Sequence, residues 1–381
     1  MNPVIILGTG LAGYALAKEI RKLHASLPLQ LISADDGRVY SKPMLSNALA
    51  RDKSADELAS ASATQMAAQL NASIDVHTRV SSIDRAGKTV DSEGGRFPYS
   101  RLILALGAEP VRLALEGNAA GELMSVNNLS DYARFRERLA YSRRVLILGA
   151  GLIGCEFAND LASAGFNVSV VDPGKMPLQA LVPRYCAERL EAALGEQGVA
   201  WHFGTTAQTI DKSAHGLRVT LANGEHIDTD LILSAVGLRP CTQLASEAGL
   251  QCNRGIQVDR YLASSDNGIF ALGDCAEVSG LVLPFVMPIM YAARALAKTL
   301  AGKRTVVEYP AMPVIVKTPS MPLVAAPPPR DSTGEWRITK LDSGTVARFE
   351  DCAGRLLGFA LSGNAVSQKQ ALTAMLPALL A

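Results

Sequence analysis

The sequence predicts an α/β chain, with two Rossmann-like domains followed by a small α+β C-terminal domain. Three observations carry this reading. At the start of the chain an apolar strand runs into a Gly-x-Gly-x-x-Gly turn and then a helical pattern. The same strand, turn and helix return over residues 144–164. Beyond Tyr309 the alternation gives way to a proline-rich stretch flanked by short strand patterns.

The first unit begins with Val4-Ile5-Ile6-Leu7, apolar at every position, as expected for a strand buried on both faces. Gly8-Thr9-Gly10-Leu11-Ala12-Gly13 follows, and a helical pattern runs on to about His24. Gly8 makes the tight turn, Gly10 lets the backbone approach a pyrophosphate, and Gly13 lets the helix pack closely on the strand. The helix N-terminus then offers unpaired N–H groups and a positive dipole end to the phosphates. Pro28 opens a second strand over residues 29–33, which ends at Asp35-Asp36. That places Asp35 about twenty residues past Gly13, the spacing of an acid that binds a ribose hydroxyl pair.

In the second unit Arg144-Val145-Leu146-Ile147-Leu148 leads into Gly149-Ala150-Gly151-Leu152-Ile153-Gly154, then a helix over residues 155–164. Its second strand, residues 166–171, ends on Asp172. Two complete units imply two dinucleotides in one chain, which suits an enzyme holding a flavin together with a nicotinamide. The first turn lies at the chain start and later segments return to it, so FAD is assigned there. The second unit reads as an inserted domain and takes the nicotinamide. Asp172 accepts from a 2′-hydroxyl and repels a 2′-phosphate, favouring NADH, although Lys175 nearby pulls the other way.

Composition narrows the class. The chain has 381 residues, long enough for two or three domains, and its 37 basic against 36 acidic residues make nucleic acid no default partner. No run is long and apolar enough to be read as a membrane span, and the N-terminus reads as a strand rather than a secretory leader. A soluble cytoplasmic protein is expected. The six cysteines, at 155, 186, 241, 252, 275 and 352, include no Cys-x-x-Cys and no zinc-ligand spacing, so reduced thiols and no metal site are expected.

Further segments carry a resemblance to the pyridine nucleotide–disulfide reductase superfamily, whose architecture is glutathione-reductase-like. The string from Tyr99 to Pro110 resembles that family's strand leaving the FAD domain, with Leu106 where threonine is usual. The string from Leu231 to Pro240 resembles the return from the nicotinamide domain. Ile269-Phe270-Ala271-Leu272-Gly273-Asp274 is similar to the second FAD motif, whose aspartate binds the ribityl chain. Tyr40-Ser41-Lys42-Pro43-Met44-Leu45-Ser46 resembles the flavin-side segment of ferredoxin-reductase-like members, with Lys42 replacing an arginine and Asn47 standing where a lysine near flavin N5 is usual. Lysine turns a bidentate phosphate clamp into a point charge. Glu156 matches a glutamate that reaches toward nicotinamide and flavin, and it equally suits the first turn of a helix; the two readings are compatible.

Cysteine supply divides this superfamily. The chain has none before Cys155, so the segment around Pro43 offers no redox pair beside the flavin, and Cys155 and Cys275 read as packing residues. Electrons are then expected to leave the flavin directly, for a one-electron redox protein. Within the acceptor-directed group the chain resembles the rubredoxin reductases, on residues 34–37 running into Tyr40–Ser46, residues 154–160 and Met312-Pro313-Val314-Ile315-Val316-Lys317-Thr318-Pro319. The resemblance implies hydride transfer from NADH to FAD and single-electron delivery to rubredoxin, serving alkane hydroxylation or reduction of oxygen or nitric oxide. A [2Fe-2S] ferredoxin or quinone-like acceptor is the alternative. The resemblance places Gly8, Thr9, Gly10, Leu11, Ala12, Gly13, Ala34, Asp35, Lys42, Pro43, Val80, Glu156, Asp274, Val286 and Lys317 at the FAD, with Gly149, Gly151, Gly154 and Asp172 at the NAD. No catalytic side chain is named, because hydride transfer needs positioning more than acid–base help.

The motifs divide the chain into an FAD domain of residues 1–107 and 236–308, a nicotinamide domain of residues 108–235, and a C-terminal domain of residues 309–381. In the last, Pro327-Pro328-Pro329 is expected to link strands, residues 365–380 to form a closing helix, and the whole to be a monomer.

Overall fold

The computed structural model describes residues 2–381. Its first sheet has five parallel strands in the order Ile269–Ala271, Arg101–Leu104, Val4–Leu7, Leu29–Ile32, Ser73–Asp75. All four residues of Val4–Leu7 are buried, because helices cover both faces of a parallel sheet. Helix Leu11–Leu23 packs there against helix Val286–Leu300, which comes from far along the chain. A second five-stranded parallel sheet repeats the plan, in the order Leu123–Met124, Leu231–Ser234, Arg144–Leu148, Asn167–Asp172, Ala200–Phe203.

The chain leaves the first sheet through Ala108–Pro110 and comes back through Leu238–Pro240, two short strands paired antiparallel. The crossing and the return are thus tied to one another. Both sheets put the carboxyl ends of their strands toward this junction, where open α/β sheets bind ligands.

The last sheet is antiparallel, in the order Val314–Val316, Leu323–Ala326, Leu356–Gly363, Gly344–Glu350, Glu335–Leu341. The proline triplet lies between two of its strands. One face of this sheet shares a core with the second module and the flavin-side segment: Val316, Leu323, Ala325, Ala347 and Ala360 pack in the same cluster as Phe157 of the former and Leu45 and Ala48 of the latter. The closing helix is shorter than the sequence pattern suggests. Residues Asn364–Gln368 form a 3-10 turn and only Lys369–Met375 is α-helical. Leu376, before Pro377, is extended, as the residue ahead of a proline prefers. Among the described residues no helix is long and apolar enough to cross a membrane.

Candidate functional site

One cleft of about 2160 Å³ runs between the two glycine turns and under the C-terminal sheet. It is lined by Gly8, Thr9, Gly10, Leu11, Ala12, Ala34, Asp35, Lys42, Pro43, Val80, Glu156, Asp274, Val286 and Lys317, and by Gly149, Gly151 and Asp172. Gly13 and Gly154 do not line it; they lie beneath their turns. A Cβ at Gly13 would strike the Gly8 carbonyl oxygen, and one at Gly8, where φ is +113°, would strike the carbonyl of Ala105. A Cβ at Gly10 meets nothing within 4 Å. Two glycines therefore close the turn and the third keeps its outer side clear. Gly149, Gly154 and Gly151 repeat this division of labour.

Both helices begin at a glycine, Gly10 or Gly151, with no side-chain cap, so their first-turn N–H groups are free for an anion. Thr9 donates to Ser33 Oγ (2.6 Å), and Ser33 donates to Asp35 Oδ1 (2.5 Å), which also accepts from the Gly37 N–H (3.0 Å). That leaves Asp35 Oδ2 without a protein partner among the described residues. Asp172 is engaged differently. Its Oδ2 accepts from the Ala150 N–H (2.7 Å) and its Oδ1 from the Gly174 N–H (2.6 Å), so the acid braces the second turn as well as facing the cleft.

Lys42 and Asp274 face one another across the cleft floor without an ion pair within 4 Å. Burial pushes the Lys42 ammonium below its ordinary value, and Asp274 opposes that shift. Burial raises the Asp274 carboxyl, and Lys42 opposes it. Two half-satisfied opposite charges beside uncapped helix ends fit a ligand bearing both phosphates and hydroxyls, as a flavin dinucleotide does.

Three segments distant in sequence meet at Glu156, which is fully buried. Its Oε1 accepts from the Lys317 N–H (3.0 Å), and its Oε2 accepts from the Ser46 hydroxyl (2.5 Å) and from Lys317 Nζ. Lys317 Nζ also reaches Ser46 Oγ (3.2 Å). One turn further along the same helix, Asp160 accepts from the N–H groups of Leu49 (2.9 Å) and Ala50 (3.0 Å). Asn159 Oδ1 accepts from the Ser320 N–H (3.2 Å). The helix Leu152–Ser163 thereby holds both the flavin-side segment and the C-terminal sheet. Asn47 does not line the cleft, so a cation there comes from Lys317 rather than from position 47.

Comparison with known proteins agrees with this architecture. Residues 2–298 match the family described as pyridine nucleotide-disulphide oxidoreductase. The chain belongs to that family. Residues 306–376 match a second family, described as a rubredoxin binding C-terminal domain. Over 381 residues the chain is 47% identical to the rubredoxin-NAD(+) reductase of Alcanivorax borkumensis, covering all of both chains. It is 41% identical to the nitric oxide reductase FlRd-NAD(+) reductase of Aeromonas hydrophila, covering 98% of this chain and 96% of that one. In fold it is similar to a ferredoxin reductase from Rhodopseudomonas palustris, with a TM-score of 0.89, 24% identity, and coverage of 99% and 96%.

For an oxidoreductase of this family the thiols have a distinctive placing. All six cysteines are free. Cys275, expected from the sequence to be a packing residue, is fully buried outside the cleft wall, with its thiol directed at the Leu104 carbonyl (3.4 Å) and pushed up to about 12 by burial. Cys155 is likewise buried, and burial raises its thiol far above the ordinary range. The cysteine that does line the cleft is Cys241, at the end of the return strand, near Lys42 and Asp274. It has no second cysteine beside it on the cleft wall, so this member holds no dithiol relay there.

Proposed function

We propose that the protein is an FAD-dependent NADH:rubredoxin reductase. The observation that carries this is the full-length identity with a rubredoxin-NAD(+) reductase, joined to a C-terminal segment that matches a rubredoxin-binding domain. FAD, when bound, supplies the step between a two-electron donor and a one-electron acceptor. The chain supplies position and charge. The helix that starts at Gly10 receives the FAD pyrophosphate, Asp35 a ribose, Lys42 a phosphate as a point charge, and Asp274 the ribityl hydroxyls. The helix that starts at Gly151 receives the NADH pyrophosphate, with Asp172 on its adenosine ribose. Glu156 and Lys317 neutralise each other at the wall where the two ligands approach, which keeps a fixed polar surface there without a net charge.

The cleft wall offers Cys241 alone, so reducing equivalents leave through the protein surface to an external carrier. The six free thiols suit a reducing compartment and support a cytoplasmic location. The test is stopped-flow mixing of NADH-reduced enzyme with oxidised rubredoxin, a [2Fe-2S] ferredoxin and a soluble quinone. Rubredoxin is expected to reoxidise the enzyme fastest. If it is matched or outpaced by either of the others, the acceptor is wrong and one of those takes its place.

A further inference from the structure

We propose that the outer face of helix Val286–Leu300, together with the cleft lip at Val286, Met287 and Ile315, is the docking surface for rubredoxin, and that it meets an acidic face of that partner. The inference rests on the rubredoxin-reductase reading and names the surface that reading requires.

The whole chain is close to neutral, with a formal net charge of +1, so its bulk field cannot steer a charged partner. Steering must come from a local patch. From Ser279 to Val307 the chain carries Arg294, Lys298, Lys303 and Arg304 and not one Asp or Glu. All four cations are exposed, and none has an ion-pair partner within 4 Å among the described residues. The neighbouring helix Leu11–Leu23 adds exposed Lys18, while its Glu19 is paired with Lys22 (2.7 Å). The first acid beyond the patch is Glu308.

Helical geometry then aligns the patch with the site. Ile289, Ala292, Ala293 and Leu296 turn inward to the core. Met287, Tyr291, Arg294 and Lys298 recur at the spacing that puts them on the opposite face. Arg294 lies over the Tyr291 ring, 6.0 Å from its centroid, which holds the guanidinium on that face. The same helix opens at the cleft: Val286, Met287 and Met290 line it, and so does Ile315 from the C-terminal sheet. Met287 and Ile315 are 46% and 53% exposed, large apolar groups at the cleft rim beside Val286, which the resemblance places at the FAD.

An apolar lip at the cleft leading onto an unneutralised basic stripe is the layout of an electron-transfer contact: a small dry centre over the redox group, and a charged margin that steers. At 1.5 Å per residue Arg294 lies about 12 Å from Val286 along the helix, and Lys298 about 18 Å. A small redox domain, with a radius of gyration of about 10 Å, covers that distance when seated on the lip. The second family match covers only residues 306–376, so this places half of the contact outside that segment, on the FAD-side module.

The test compares FAD-loaded wild type with the Arg294→Glu/Lys298→Glu double variant. Lys212→Glu, an exposed lysine on the far three-stranded sheet, is a control for overall charge. Rates of rubredoxin reduction and the Kd for oxidised rubredoxin are measured against ionic strength, with NADH-driven reduction of menadione as the folding control. The double variant is expected to reduce rubredoxin roughly tenfold more slowly at low salt, to bind it more weakly, and to converge on wild type toward about 1 M salt, where the screening length is about 3 Å. Lys212→Glu is expected to change neither. Should the reversal lose its fold, Arg294→Gln/Lys298→Gln is used, with a smaller drop expected in the same direction. An unchanged rate and salt slope in the double variant, or an equal effect from Lys212→Glu, overturns the docking surface alone. A wild type that does not reduce rubredoxin overturns the acceptor reading, and the docking surface with it.

Discussion

Gly10 and Gly13 stand three residues apart in one turn and act in opposite ways. Gly13 is needed by the fold, because its missing Cβ is where the Gly8 carbonyl sits; Gly10 is needed by the ligand, because its outer side is open. Gly13→Ala is therefore expected to lower the thermal midpoint of the FAD-free protein, at the overpacking cost of about 1–3 kcal/mol. Gly10→Ala is expected to leave that midpoint in place and weaken FAD roughly tenfold, about 1.4 kcal/mol. Thermal unfolding of apoprotein and FAD titration separate the two, and equal midpoint losses would refute the assignment. Residues of this kind were legible in the sequence, because a backbone constraint dictates the residue type at a fixed spacing. The Glu156 cluster was legible only as separate residues. Its partners Ser46 and Lys317 lie 110 and 161 positions away, and no local period records which of them will meet.

Strands were legible where burial on both faces forces an unbroken apolar run, as in Val4–Leu7 and Leu231–Ser234. What fastens such strands at their ends was not, since it depends on the register between distant segments. The entry to Leu231–Ser234 shows this. Asp230 accepts from the N–H groups of Arg143 and Arg144 and from the Arg144 side chain, pinning two neighbouring strands. Burial alone would raise its carboxyl; the hydrogen bonds from Arg144 and the two backbone donors outweigh burial and hold it at about 2, against about 3.9 for a free aspartate. The depressed value means that stabilisation is present above about pH 3.9 and is lost as pH falls through about 2. Asp230→Asn should consequently unfold at a lower temperature than wild type by a gap that is constant from pH 7 to about 4 and closes below it. A gap that widens in acid would show that the carboxylate is not what fastens the strands. The overlong closing helix has the reverse lesson. Residues 365–380 are helix-forming in composition, yet Pro377 and the 3-10 turn at Asn364–Gln368 confine the α-helix to seven residues. Cys241 reaches the cleft for a register reason too, through the pairing of Leu238–Pro240 with Ala108–Pro110.

At the scale of the molecule the second parallel sheet, the flavin-side segment and the C-terminal domain meet at one helix, Leu152–Ser163. Its first turn faces the second dinucleotide site, its buried side joins the core shared with the C-terminal sheet, and Glu156 and Asp160 hold the flavin-side segment at two points one turn apart. Burial pushes the Asp160 carboxyl above its ordinary value, which the Ala50 and Leu49 N–H groups oppose. Those donors make it a structural anchor, and they have no other partner. Asp160→Ala orphans both, so the segment from Lys42 to Ala50 should open locally while the parallel sheets stay folded. Hydrogen exchange followed by mass spectrometry on peptides spanning residues 44–51 is expected to quicken by about tenfold or more, equivalent to at least about 1.4 kcal/mol of lost local stability. Peptides from Val4–Leu7 and Arg144–Leu148 should not change. Because Ser46 lies within the loosened segment, its hold on Glu156 should weaken as well, and the visible flavin spectrum should shift with NAD(+) absent. Exchange that quickens everywhere would mean Asp160 is an ordinary core residue. Quickening confined to the segment would mean that the nicotinamide-side module sets where the flavin-side wall stands, so that either dinucleotide can influence the geometry of the other through a single helix.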